Sequence, residues 1–472
     1  MRGRNTAAPA AGDSARGRAL QMGALSAGVA ASYLGGAVRR LFLPAAEREA
    51  DRAETHRRNA ERVLEVAGRL KGGIMKAMQL LSYQSEVLPD EYLDVLAGLQ
   101  DQAPPMSVEQ ARQQITTELG APPEVLFASF EPEPAAAASL GQVHRAVLAD
   151  GRPVAVKVQY PGIADQVAAD LRLLRRSLAA QKLAGADLLR QRGLDHRHLH
   201  DDIAARLLEE LDYRREALHL QVFGRLYQGR PEVRVPALVA DRSSERVLTM
   251  EWIDGYPIRD IMNEGADYVL REHACALLNW MTLREVLGVG IVHVDPHPGN
   301  YLVTLDGLAL LDLGCVKVIN DERLEHYRNQ VRALVTGDRA LLVESLEGIG
   351  QLEPGQDPEP AVAFTEFLYL PILHDGPWDG RTFDFPGELG KRFAALVKAR
   401  QLAFPTDTAF LMRRFIGAAA VFRALRVHTI DFRKAYVDYL EHELPAAAAL
   451  RQRLFREFPA LRRAAEEPSP NR

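Results

Sequence analysis

HVDPHPGN at residues 293–300, with DLG at 312–314 twelve positions beyond its asparagine, is the stretch that decides how this chain reads. It sets Asp295 four intervening residues before Asn300 and puts Asp312 at the end of the apolar run Leu308–Leu311. Phosphoryl-transfer sites need this set in this order. One carboxylate stands beside the accepting group, while an amide and a second carboxylate hold magnesium on a nucleotide's phosphates.

Composition bounds what surrounds that stretch. At 472 residues the chain exceeds one simple core, which predicts two large lobes plus extensions. A composition of 47% hydrophobic and 26% charged residues is that of an ordinary globular protein. Net charge −5 and a pI near 6.3 argue against a nucleic-acid binder. Charge is uneven, since residues 1–42 hold six arginines and one acid. Two cysteines, Cys275 and Cys315, exclude a disulfide framework and a cysteine-built zinc site, and they fit a reducing compartment. Cys315, next to DLG, reads as a small pocket-lining residue. Leu20–Val38 has no charged residue and is rich in Ala, Gly and Ser. It reads as an interfacial or protein-packed helix, with spanning and targeting roles as the alternatives.

Outward from the motif, residues 45–100 carry helical periodicity and Pro104-Pro105 closes them. A further helix is expected near 107–120, stopped by Gly120. Val143–Leu148 and Val154–Val158 predict strands joined by the turn Ala149–Arg152. Residues 163–226 return to helix, and Val233–Val239 and Arg246–Trp252 read as strands. Beyond Asp260 helices dominate, interrupted by apolar segments at Gly290–His293, Tyr301–Val303 and Leu308–Leu311. A strand-rich segment, then a larger helical one with the motif just past the crossover, is the bilobal kinase plan, with nucleotide expected between the lobes. The expected fold is α+β: a protein-kinase-like fold with a helical N-terminal extension and a helix-rich C-terminal lobe. Its divisions fall at 1–44 (basic, weakly apolar), 45–126 (helical extension), 127–254 (small lobe with a helical insertion) and 255–472 (large lobe).

Lys157, in VAVKV, supplies the ammonium that such a site needs on the α/β-phosphates. Ahead of that hairpin, where glycines would let backbone amides approach phosphate, stands PAAAASLGQVHRA. Its four Cβ atoms restrict φ and closeness, so Ala135–Ala138 read as a modified nucleotide loop, although an alanine run taken alone reads as helix. His293, Asp295 and His297 alternate as ligands on a strand would, giving a metal-hydrolase alternative that leaves Lys157 and Asp312 unexplained. His196, His198 and His200 read as surface histidines.

The Ala-rich loop, VAVKVQYPG, ELDYRREA, HVDPHPGN and DLG together resemble the UbiB/AarF family of atypical kinase-like proteins, in order from about residue 60 to 440. The resemblance implies that Lys157 orients nucleotide with Glu216 as its carboxylate partner, and that Asp295 is the catalytic aspartate. Asn300 and Asp312 are then the magnesium ligands. Met250 and Glu251 border the adenine, and Ala135, Ala136, Ala137, Ala138 and Ser139 form the phosphate loop. Glu210 and Asp212 match the family's Glu-x-Asp motif on a small-lobe helix. Lys76 and Gln79 match its Lys-x-Gly-Gln extension motif, with Met78 standing where the glycine belongs. A buried Lys76 needs a carboxylate partner, and an extension over the substrate groove disfavours protein phosphorylation. Met78 calls for a shifted helix or a wider gap there.

The resemblance further implies ATP and Mg2+ as cofactors and a role in ubiquinone biosynthesis or lipid handling. It also implies a cytoplasmic protein held peripherally at a membrane by its N-terminal segment. An isoprenoid-quinone precursor or lipid, and a homodimer or a biosynthetic-complex partner, are the implied partners, with no nucleic acid among them. Two rivals remain. A small-molecule kinase of the aminoglycoside or choline kinase type shares the His-x-Asp loop but lacks the Lys76–Gln79 extension and the Ala-rich loop. A pseudokinase scaffold would bind nucleotide without turnover.

Overall fold

The computed structural model describes residues 47–70, 106–183 except 139, 207–379 except 264, and 406–466, with isolated positions within 23–44, 201–204 and 388–401. Lys76, Met78, Gln79, Ser139, the histidines at 196, 198 and 200, and most of the predicted extension lie outside the described residues. Two compact units result. One comprises Met1–Arg214 with Val239–Glu251, the other Arg215–Leu238 with Trp252–Arg472.

The first unit is built on a five-stranded antiparallel sheet: β1 (Ser129–Phe130), β2 (Ala136–Ala138), β3 (Gly141–Val147), β4 (Pro153–Gln159) and β5 (Val247–Glu251). Spatial order is β1-β3-β4-β5, with β2 also on β3. Alternation explains the core. Val154, Val156 and Val158 of β4 are buried with Ile115, Phe127, Ala146, Val239 and Val247, leaving Lys157 on the other face. Among the described residues, helices α1 (Arg48–Leu70), α2 (Val108–Leu119) and α3 (Ile163–Leu183) belong to the same unit. Helix α2 begins in a reciprocal capping box between Ser107 and Gln110 and ends on Gly120 at φ 77°. Beneath it Gln142 accepts the Met106 N–H at 2.9 Å and meets His144 Nε2 at 2.8 Å, while His144 Nδ1 donates to Glu131 O at 2.9 Å. Burial holds His144 below its usual pKa, as this neutral tautomer requires.

Three expectations change here. The alanine run is neither helix nor open loop. Ala136–Ala138 pair with β3, and the Ala135 N–H donates to Val143 O at 2.8 Å. On the other side of β3, Gly141 lets β4 approach closely, because a Cβ there would lie 2.3 Å from Val158 O. Of Val233–Val239 only Val233–Arg234 is strand, since Pro236 has no N–H to give the ladder. The helix bearing Glu210 stops there, so Asp212 lies beyond it and caps the next one, accepting the Arg214 N–H at 3.0 Å.

The second unit begins in α4 (Tyr213–Leu226), all but its first two residues belonging here. Strands β6 (Tyr256–Pro257), β8 (Tyr301–Val303) and β9 (Leu308–Leu310) join Val233–Arg234 in one sheet, while β7 (Ile291–His293) pairs with β10 (Val316–Val318). Helices α5 (Tyr268–Leu283), α6 (Asp321–Thr336) and α7 (Thr406–Leu425) surround them. Helix α5 starts on an Asp267 cap and runs into a wider π turn, Arg284–Val289, ended by Gly290 at φ 58°. Among the described residues no helix is long and apolar enough to cross a membrane.

Candidate active site

The HVDPHPGN segment links β7 to β8, and DLG links β9 to β10, so both short ladders converge on one place. Val294 N–H donates to Cys315 O at 3.1 Å and Leu311 N–H to Asn300 O at 2.9 Å, tying the two segments together by backbone. Within the loop, Pro296 and Pro298 have no N–H to offer. His297 Nδ1 accepts the Gly299 N–H at 3.0 Å, shaping the turn Pro298–Asn300. Asn300 Nδ2 donates to Asp295 O at 2.9 Å and lies 3.4 Å from Asp295 Oδ2. Asp312 Oδ1 accepts the Gly314 N–H at 2.8 Å.

Arg413, on α7, donates from Nη2 to Asp295 Oδ1 at 2.9 Å, with side-chain exposures of 12% and 28%. Its neighbour Arg414 is 1% exposed and bonds Tyr301 Oη at 3.2 Å and Thr282 Oγ1 at 3.0 Å, with Glu285 Oε2 3.8 Å away. Glu285 accepts from Tyr227 Oη at 2.5 Å and from the His293 N–H at 3.0 Å, so the loop's first residue hangs on this buried cluster. Burial raises the Glu285 pKa, and the Arg414 charge opposes it. Burial, with Arg414 next, pushes His293 down to about 4, so its ring is a neutral core side chain. Gly417 meets the same loop, where a Cβ would fall 2.3 Å from Pro296 Cγ.

The structure therefore gathers Asp295, Asn300 and Asp312. Lys157 lies in the first unit, its ammonium 5.1 Å from the Tyr213 ring centre. Met250 and Glu251 end β5, with Met250 opposite Ala155 and Leu248 opposite Lys157. Glu216 is buried on α4 of the second unit, one turn before His219, whose Nδ1 donates to Leu313 O of DLG at 2.8 Å. The metal-hydrolase alternative fails. Among the described residues no three His, Cys, Asp or Glu side chains form a metal-sized group, and His293 is sealed in the core.

The residues gathered are oxygen donors. Asn300 turns its Nδ2 to Asp295, which leaves Oδ1 as the atom that could meet a cation, and the Gly314 contact orients the Asp312 carboxylate. Such a set fits a hard cation such as magnesium. Sequence reading missed Arg413, Arg414, Glu285 and Gly417. The signal was there: two adjacent arginines inside the apolar run AFLMRRFIGAAA are affordable only with buried partners.

An α+β scaffold that joins an aspartate, an asparagine five residues on and a second aspartate after the next hairpin defines a kinase-like protein. The ABC1 atypical kinase-like domain matches residues 98–346. An aarF domain-containing protein kinase of Arabidopsis thaliana, chloroplastic, is 35% identical over 67% of this chain and 44% of its own length. Activity of BC1 complex kinase 7 from the same plant, also chloroplastic, is 31% identical over 72% of this chain and 48% of its own. Rv3197 of Mycobacterium tuberculosis, solved in complex with erythromycin, is 30% identical with a TM-score of 0.59, covering 85% of this chain and 99% of that one. The chain belongs to the ABC1 (UbiB/AarF) family of atypical kinase-like proteins and has its kinase-like α+β fold. It spans about half the length of the two plant relatives.

Proposed function

We propose that this protein is a magnesium-dependent ATPase or phosphotransferase that supports isoprenoid-quinone (ubiquinone) biosynthesis or lipid handling at a membrane surface. The observation that carries the chemistry is Asp295, held between Arg413 Nη2 and Asn300 Nδ2 on a loop tied to Asp312. Asn300 and Asp312 would hold magnesium, which on binding offsets phosphate charge. Asp295 orients the accepting hydroxyl or water and takes its proton at a carboxylate oxygen. In this reading Lys157 steadies the α/β-phosphates, Ala135–Ala138 and Ser139 supply their loop, and Met250 and Glu251 border the base. Lys76 and Gln79, with Glu210 and Asp212, belong to the guard that disfavours protein substrates. The division at residues 44, 126 and 254 is part of this reading, as is cytoplasmic placement with peripheral membrane contact through the N-terminal segment.

The test is turnover of magnesium-ATP with and without liposomes carrying a quinone-like lipid, in wild type, Asp295→Asn and Asp312→Asn. Lipid-stimulated turnover lost in both variants is the expected result. Nucleotide binding without turnover under every condition would replace the reading with a scaffold. Turnover driven by a soluble alcohol or amine and indifferent to lipid would replace it with a small-molecule kinase.

A further inference from the structure

The second unit contains a cavity of about 270 Å3 between α5, α7 and the segments 367–378 and 430–436. Aromatic rings dominate its wall, among them Phe367, Trp378, Phe415, Phe422 and Tyr436. A cavity of roughly 150 Å3 with such a wall stays dry and takes one benzene ring, so this one has room for about two fused rings.

The exposed arginines Arg423 and Arg426 also line the cavity, and among its buried side chains the amide of Asn279 interrupts the mostly apolar surface. Asn279 of α5 is 4% exposed, and its side-chain amide makes no hydrogen bond with any described residue. Its polar neighbours on the same helix are committed or inert. Thr282 Oγ1 donates to Leu278 O at 2.8 Å and accepts from Arg414 Nη2 at 3.0 Å. Burial pushes the Cys275 thiol far above its ordinary pKa, which keeps it protonated. Leaving a buried amide unpaired is costly, and folded proteins rarely do so without a ligand or water to meet it.

We propose that this cavity is a binding site for a compact, largely apolar small molecule carrying one carbonyl or hydroxyl oxygen. The rings hold the body and Asn279 meets the oxygen. Pockets of this make-up, mostly apolar with a few placed polar groups, select orientation through those groups. The site uses none of the residues assigned to phosphoryl transfer, so it stands or falls separately from that reading.

The test compares two probes of nearly equal shape on the full chain by titration calorimetry: 2-naphthol, and 2-methylnaphthalene, which lacks the oxygen. Wild type is expected to bind 2-naphthol about 3- to 10-fold more tightly, the range one net hydrogen bond supplies. Asn279→Leu should erase that preference while still binding 2-methylnaphthalene, and Ala419→Trp, which fills the cavity from α7, should bind neither. Circular dichroism confirms that each variant is folded, and the two-probe comparison on wild type needs no variant. Absence of saturable binding to wild type, a preference for 2-naphthol that survives Asn279→Leu, or undiminished binding by folded Ala419→Trp would each overturn the assignment.

Discussion

Arg413 and Asp295 are separated by 118 residues and meet at 2.9 Å, guanidinium Nη2 to carboxylate Oδ1. The contact fixes one oxygen of the proposed catalytic aspartate and leaves Oδ2 on the side of Asn300. An arginine on a helix far along the chain thus holds one of the two Asp295 oxygens.

Removing that guanidinium should act on turnover rather than on nucleotide affinity. A hydrogen bond to a charged group contributes about 1.5–3 kcal/mol, so Arg413→Met should lower kcat about 10- to 100-fold. The KM for magnesium-ATP should hold within about twofold, because the Arg413 contact is with Asp295, which the proposal sets at the accepting group and not at the nucleotide. Arg413→Lys keeps the charge without the planar fork and should recover part of the loss. Steady-state kinetics decide it: a raised KM with kcat intact would show that Arg413 serves binding instead.

Helix α7 reaches this position because Gly417, one turn beyond Arg413, has no Cβ to strike Pro296. Gly417→Ala should displace helix or loop and cost about 1–3 kcal/mol, with a lowered melting temperature and with turnover falling as for Arg413→Met. Gly224, on α4, is the control. Nothing lies within 4 Å of its missing Cβ, so Gly224→Ala should leave stability unchanged or raise it slightly. Equal melting temperatures for Gly417→Ala and wild type would remove the steric account.

Local pattern made the strands and the α2 caps legible in the sequence. Period-two alternation around Lys157 and the Ser107 and Gly120 punctuation require nothing from the rest of the chain. The Asp295–Asn300 spacing was legible for the same reason, since a five-residue separation closes its own hydrogen bond. Arg413, Arg414 and Glu285 were not. Their partners stand more than a hundred residues away in two of the three cases, and only tertiary packing tells a buried arginine from a surface one. That Ala136–Ala138 pair as a strand was not legible, because an alanine run says nothing of an available neighbouring edge, here β3.

The close seating of β3 on β4 depends on Gly141. A Cβ there would meet the Val158 carbonyl at 2.3 Å, and backbone within a sheet has little freedom to give way. Gly141→Ala should cost about 1–3 kcal/mol or more. Hydrogen exchange should quicken at the β3 and β4 amides of the first unit. Uniform protection matching wild type would show that the strand accommodates the methyl group.

The last expectation concerns acid. His293 is fully buried and its pKa is depressed to about 4, while an unfolded histidine titrates near 6.5. Above pH ~6.5 neither state binds the proton, and the contribution of this ring to stability is fully present. Between pH ~6.5 and 4 only the unfolded chain takes the proton, so stability is lost as pH falls, by about 3 kcal/mol at most. Glu285 works in the opposite sense, because burial raises its pKa and the folded state holds that proton more tightly. Subtracting His293→Phe, which keeps a ring against Tyr301 but cannot titrate, cancels the Glu285 contribution. Denaturant melts of wild type and His293→Phe in magnesium-free buffer, from pH 7.5 to 4.5, should therefore diverge, with wild type losing more. Parallel curves would mean that the ring is protonated in the folded protein as readily as in the unfolded one, and that the loop's first residue is open to water.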